Sequence, residues 1–201
     1  MIAIIDYGAG NVRSVEKALE KIGQKACVSQ EKSVLDASDA LILPGVGSFG
    51  KAMESLQELD LVNCLKENIR QGKPFLGICL GMQMLFDRSY EDGVWPGLSF
   101  LPGEIRRFEP GQKVPHMGWN ELIQDRPDPI AQEVSSGEYV YFVHSYYAVP
   151  ENPQDVIFHA DYGVAVPAVV GRGRVWGMQF HPEKSGETGI RLLKNFGELI
   201  S

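Results

Sequence analysis

Apolar residues keep two rhythms along this chain, and the rhythm changes near Gly93. Before that point short unbroken apolar runs alternate with stretches whose apolar positions recur every three or four residues, the pattern of buried strands separated by amphipathic helices. Ile2 to Ile5 reads as a strand covered on both faces, followed by a turn over Asp6 to Asn11 and a helix from about Val12 to Ile22. Ala26 to Ser29 is a weaker strand and Asp39 to Leu43 a strong one, with helical patterns next at about Lys51 to Glu58 and Leu61 to Arg70. A further strand, Phe75 to Ile78, runs into a helix expected from Leu80 to about Asp87. Such alternation predicts a parallel, doubly wound sheet.

After Gly93 short β-rich runs and Gly or Pro punctuation take over: Ile105 to Phe108, Asn120 to Ile123, Tyr139 to Val149, Val156 to Ala160, Val166 to Val170 and Val175 to Phe180. These read as antiparallel strands packed onto the first half, and an amphipathic helix from about Glu187 to Ile200 closes the chain. The fold expected is therefore α/β: a central, mostly parallel sheet flanked by helices with added antiparallel strands, flavodoxin-like in plan. No repeat or linker divides it, so residues 1–201 are expected to form one domain.

Composition narrows the classes of function. A hydrophobic content of 44% over 201 residues suffices for a full core. The formal net charge of -7, with no cluster of Lys and Arg, argues against a nucleic-acid surface. Cys27, Cys64 and Cys79 are odd in number and widely spaced, which suits neither a disulfide framework nor a zinc site, and a reducing cytoplasm is the expected compartment. Ile2 to Ile5 is too short for a secretory core and has no basic leader, and no stretch is long enough to span a bilayer; neither targeting nor membrane insertion is expected. Gly8-x-Gly10 invites a dinucleotide reading, but Arg13 stands where that fingerprint needs a third glycine, so these glycines are read as turn residues.

The chemistry centres on Pro74 to Gln83. Here an apolar strand stops at Cys79, between Gly77 and Gly81, and turns at once into a helix, the geometry of a nucleophile elbow with a thiol in place of a hydroxyl. Glycines on both arms allow close approach, and a helix start favours the thiolate. A buried structural cysteine fits the same residues, and the pentapeptide alone does not choose between the two. At the other end of the chain, Val175 to Phe180 leads into His181-Pro182-Glu183, where proline fixes the intervening φ and can set imidazole and carboxylate on one side of an extended segment. Thiol, imidazole and acid together are the parts of nucleophilic acyl transfer. Pro44 to Gly50 carries three glycines after a strand, at the sheet end where open α/β folds bind ligands.

Taken together, GICLGMQ, HPEKS, PGVGSFG and PHMGWN resemble the class I (triad) glutamine amidotransferases, and the resemblance covers essentially the whole chain. The last two motifs are similar to the branch of that family that forms the glutaminase subunit of imidazole glycerol phosphate synthase, and they differ from relatives with a double-glycine oxyanion loop. The resemblance implies that Cys79 attacks the side-chain amide of L-glutamine, His181 shuttles the proton and Glu183 orients it. It implies an oxyanion hole from Leu80 N–H and a main-chain N–H of the Val46-Gly47 region. It also implies that Gln83, Gly47, Glu91, Ser145 and Tyr146 hold the substrate, which suits a zwitterion needing a carboxylate near its ammonium and amides near its carboxylate. As a residue type, Glu91 reads equally well as a solvated loop acid.

Asn11, Arg13, Trp119, Tyr141 and Lys184 would lie toward the partner, which the family makes a cyclase subunit built as a (β/α)8 barrel and bound as a heterodimer. That partner would turn the released ammonia into imidazole glycerol phosphate and AICAR. By residue type alone Trp119 suits a core, Tyr141 a strand and Arg13 a solvated helix face. No cofactor is implied, and the scatter of His116, His144 and His159 argues against a metal. The glutaminase is expected to idle in isolation, with the Pro44-Gly45-Val46-Gly47 loop switched by partner docking. Two other readings share these residues: a stand-alone γ-glutamyl hydrolase or the amidotransferase of a different pathway, and a silent scaffold in which Cys79 is structural.

Overall fold

The structure is a computed structural model that describes residues 1–200. In chain order β1 (Ile2–Ile5), α1 (Val12–Lys21), β2 (Ala26–Ser29), α2 (Lys32–Ala37), β3 (Ala40–Gly45), α3 (Phe49–Glu58), α4 (Leu61–Arg70), β4 (Phe75–Cys79) and α5 (Leu80–Gln83) form the alternating half. The remainder is β5 (Phe86–Ser89), β6 (Trp95–Pro96), β7 (Leu101–Arg107), β8 (His116–Glu121), β9 (Ile123–Gln124), β10 (Tyr139–His144), β11 (Tyr146–Pro150), β12 (Val156–Asp161), β13 (Ala165–Arg172), β14 (Val175–Met178) and α6 (Gly186–Glu198). The main sheet runs β2-β1-β3-β4-β14-β13-β12-β9. Its first five strands are parallel and the last three pair antiparallel.

Period-two alternation explains how an all-apolar strand serves two layers. Ile2 and Ile4 face one side with Val15 and Leu19 of α1 and Leu192 and Phe196 of α6. Ala3 and Ile5 face the other with Phe49 and Leu56 of α3 and Leu65 of α4. Both faces of the sheet are buried, which is why these strands read as unbroken apolar runs. Chain order reverses between β1 and β3, and β3, β4 and β14 end side by side at the crevice that such a reversal opens.

Several boundaries depart from expectation for identifiable reasons. The helix after Cys79 stops at Gln83, and Phe86–Ser89 leaves it to pair with β7 in a second sheet, β11-β7-β5-β6. The run Tyr139 to Val149 breaks at Ser145, so that β10 pairs with β8 while β11 pairs with β7. Asn120 to Ile123 splits likewise between β8 and β9. β14 is not one more antiparallel strand: it lies parallel to β4, Gly177 opposite Gly77, and delivers the far end of the chain to the centre of the sheet. Helix α2 was not expected, because Leu35 alone anchors it. Among the described residues no helix is long and apolar enough to cross a membrane.

Candidate active site

Cys79 ends β4 with φ 55° and ψ −111°, a left-handed backbone that a non-glycine residue adopts only under constraint. Three glycines supply that constraint. A Cβ on Gly77 would stand 2.5 Å from the Gly81 carbonyl oxygen, and one on Gly81 would overlap the Leu43 carbonyl outright. A Cβ on Gly45, paired with Cys79 across the sheet, would meet the Tyr7 hydroxyl at 2.5 Å. Strand, turn and helix are thus pressed together, and the turn aims the thiol into a crevice. Leu80 opens α5, so its N–H has no carbonyl one turn back within the helix.

The imidazole arrives from the end of β14. His181 Nδ1 lies 3.1 Å from Glu183 Oε1, both side chains buried. The segment is a 3-10 turn over Pro182–Lys184 and not the extended stretch expected; the turn, entered from an extended His181, brings the two side chains together. Burial pulls the imidazole pKa down, but the hydrogen bonds to Cys79 and Glu183, and their charges, outweigh it and push it up to about 9. With Nδ1 directed at the carboxylate, Nε2 is left for the sulfur. Ser185 Oγ accepts from Tyr141 N–H at 3.0 Å and donates to the His181 carbonyl at 2.7 Å, and His181 N–H donates to the Tyr141 carbonyl at 3.2 Å. The turn is therefore riveted to β10.

These groups open on one cavity of about 450 Å³, lined by Val46, Gly47, Cys79, Leu80, Gln83, Glu91, Pro115, Val143, His144, Ser145, Tyr146, His181 and Lys184. Every residue expected to bind the substrate or stabilise an oxyanion is in that lining, and the sulfur and the imidazole share it. Glu91 is not a free loop acid: its Oε2 accepts from Phe49 N–H, the first residue of α3, at 2.6 Å. Burial raises its pKa while that N–H bond works against the rise. Gln83 donates from Nε2 to the Tyr146 carbonyl at 2.9 Å and to Gln179 Oε1 at 3.0 Å. Gly47, at φ +98°, has no neighbour within 4 Å of where a Cβ would sit, and Val46 beside it is exposed.

The five residues expected at a partner surface separate. Trp119 is 56% exposed and packs edge-on against Tyr141 of the adjoining strand at 6.0 Å. Lys184 is exposed at the rim of the cavity, and Asn11 lines a small hollow with Val46, His181 and Glu183. Arg13 is exposed on α1, paired with Glu16 at 2.7 Å. His116 and His144 form a buried pair, Nδ1 to Nε2 at 3.0 Å, with His144 Nδ1 donating to the Tyr146 carbonyl at 2.8 Å. Burial lowers the pKa of His116 to about 4 and of His144 to about 3, so both are neutral hydrogen-bond relays. No group of three or more His, Cys, Asp or Glu able to hold a metal occurs among the described residues.

Sequence reasoning missed Gln179 and the bracing role of Ser185. Ser185 could have been found from its place in HPEKS, whereas Gln179 looks like any polar residue at a strand end.

Comparison with known proteins bears on what such a cavity does. The family described as glutamine amidotransferase class-I matches residues 3–199. The chain is 55% identical over 201 residues to "Imidazole glycerol phosphate synthase subunit HisH" of Bacillus cereus strain G9842, covering 100% of this chain and 95% of that protein. The identically named protein of Desulfitobacterium hafniense is 51% identical over the same shares. Among solved structures, a glutamine amidotransferase has a TM-score of 0.79 at 21% identity, covering 100% of this chain and 99% of that one. PurLQS from Thermotoga maritima has a TM-score of 0.79 at 22% identity, covering 100% and 98%.

Proposed function

The chain belongs to the class I glutamine amidotransferases, and from that premise we propose that it is the glutaminase subunit of imidazole glycerol phosphate synthase, working through Cys79, His181 and Glu183. The observation that carries this reading is that Cys79 and His181 line one cavity together with Gly47, Gln83, Glu91, Ser145 and Tyr146.

In the proposed cycle the Cys79 thiolate adds to the side-chain amide carbon of L-glutamine. The oxyanion formed is met by Leu80 N–H and by a main-chain N–H of the Val46-Gly47 loop. His181, protonated and held by Glu183, gives its proton to the leaving nitrogen, so that the C–N bond breaks, ammonia departs and a γ-glutamyl thioester remains. Neutral His181 then takes a proton from water, whose oxygen attacks the thioester and releases glutamate and the thiolate. The raised imidazole pKa suits the first proton transfer, since the acid is charged at neutral pH. Glu91 and the Gln83 carbonyl oxygen are acceptors for the substrate ammonium, with Ser145, Tyr146 and Gly47 around the carboxylate on the same carbon.

The ammonia passes, in this proposal, to a cyclase subunit built as a (β/α)8 barrel and bound as a heterodimer over the paired strands that carry Trp119 and Tyr141 and over the cavity rim. Support comes from the exposure of Trp119 and from the hydrogen bonds tying Tyr141 to the His181 turn. The uncrowded Gly47 is the element we assign to gating by that partner. Residues 1–201 act as one domain, and the three free cysteines favour the reducing cytoplasm. Cys79→Ala tests the reading: with the cyclase and its nucleotide present, glutamine-driven synthesis is expected to vanish and ammonia-driven synthesis to persist. Persistence of the glutamine-driven reaction would refute it.

A further inference from the structure

Gln179 lies between the two halves of the cavity and its side chain is committed to both. It follows β14, is fully buried, and its N–H donates to the Ala168 carbonyl at 2.9 Å. Its Oε1 accepts from Gln83 Nε2 at 3.0 Å, and its own Nε2 stands 4.0 Å from Cys79 Sγ. A string of hydrogen bonds therefore runs from the Tyr146 carbonyl through Gln83 and Gln179 to the sulfur.

The Tyr146 end of this string fixes its polarity. A main-chain carbonyl is a pure acceptor, so Gln83 turns its NH₂ group to it, Gln179 turns its oxygen to that same NH₂ group, and the Gln179 NH₂ group is left facing the sulfur. Reversing Gln179 would set its carbonyl oxygen against the sulfur and leave Gln83 facing a second NH₂ group. Reversing Gln83 would bring oxygen against oxygen at Tyr146. With both hydrogens of Gln83 Nε2 spent, what Gln83 keeps for a ligand is its carbonyl oxygen.

We propose that Gln179 is a positioning residue with two effects, resting on the glutaminase reading above: it donates to Cys79 Sγ and so favours the thiolate, and it holds Gln83 with its carbonyl oxygen toward the cavity, selecting a ligand that presents an ammonium there. At 4.0 Å the donor is at the outer limit for sulfur, so its effect on the thiol is electrostatic, that of an N–H dipole aimed at the sulfur from a fully buried side chain.

Two substitutions separate the effects. Gln179→Glu keeps an acceptor for Gln83 and puts a carboxylate oxygen where the donor was; Gln179→Met removes both contacts at similar length. The probe is the pH dependence of iodoacetamide modification at Cys79, followed by peptide mass on the full chain, with glutaminase kcat and KM measured alongside in the presence of the cyclase. Gln179→Glu is expected to raise the midpoint by about one pH unit or more and lower kcat about tenfold or more, with KM within about twofold of wild type. Gln179→Met is expected to raise the midpoint by a smaller amount and to raise KM about tenfold, as Gln83 is released. Should the glutamate variant not fold, the methionine variant carries the test by the same two readouts. Folded variants with a wild-type midpoint and KM, whether or not their melting temperature falls, would overturn the proposal, because a merely structural residue moves neither. A wild-type chain in which Cys79 is not selectively modified would overturn the glutaminase reading and this inference with it.

Discussion

Two turns leave neighbouring strands of the central sheet at the same end, and their glycines do opposite work. The β4-to-α5 elbow is crowded: Gly77, Gly81 and the facing Gly45 have main-chain or side-chain atoms where a Cβ would go. The β3-to-α3 loop is open: Gly47 has a positive φ, no neighbour within 4 Å, and an exposed Val46 beside it. In the elbow glycine permits close approach, so Cys79 is held in an uncommon backbone by close packing. In the loop glycine permits a backbone that other residues reach only with strain, and the space where its Cβ would sit is open. The proposed gating by a partner draws on that difference, a closely packed sulfur beside a loop with open space at Gly47.

The sharpest way to break this contrast is to add one methyl group to each turn. Gly81→Ala is expected to cost roughly 3 kcal/mol or more, since its Cβ meets the Leu43 main chain and not a movable side chain. Gly77→Ala should follow closely, at roughly 2–3 kcal/mol, because the obstruction is again main chain. Urea denaturation of the two variants checks both values.

The elbow is also braced electrostatically, and the loop is not. The His181 pKa is raised from 6.5 to about 9, so the stabilisation it contributes is complete below pH 6.5 and is lost as pH rises through about 9. The loss amounts to about 3 kcal/mol. Cys79→Ala should flatten the decline, because the hydrogen bond to Cys79 leads the favourable causes, whereas Gly47→Ala should leave it unchanged. Chemical denaturation at a series of pH values distinguishes the two.

The smallest effect on stability belongs to Gly47→Ala, about 1 kcal/mol from its positive φ alone. Its effect on catalysis should be disproportionate: the ratio of glutaminase turnover with and without the liganded cyclase is expected to change several-fold. An unchanged ratio would remove the loop from the gating account.

Local signals made the elbow legible in the sequence, because glycine, cysteine and glycine at that spacing after an apolar run have a steric reason to be together. His181 and Glu183 were legible as chemistry, but their turn was misread as extended, since Pro182 is equally at home at the start of a 3-10 turn. What stayed hidden depends on long-range pairing. Leu80 to Asp87 carries an apolar pattern that suits a buried helix or a strand, and pairing with β7 decides for a strand at Phe86–Ser89. The placement of β14 beside β4 is equally invisible locally, yet it is what carries His181 to the sulfur. Gln179 stayed hidden for the same reason, since both partners of its side chain lie about a hundred residues earlier.

Covalent trapping tests the central claim, that Cys79 is a nucleophile in a glutamine site, most directly. The full chain with its cyclase would be treated with a glutamine-like electrophile and the modified peptides mapped by mass. Modification confined to Cys79, and suppressed by excess L-glutamine, is the predicted result, with Cys27 and Cys64 left free. Modification spread over the three cysteines, or one that glutamine does not suppress, would contradict the account.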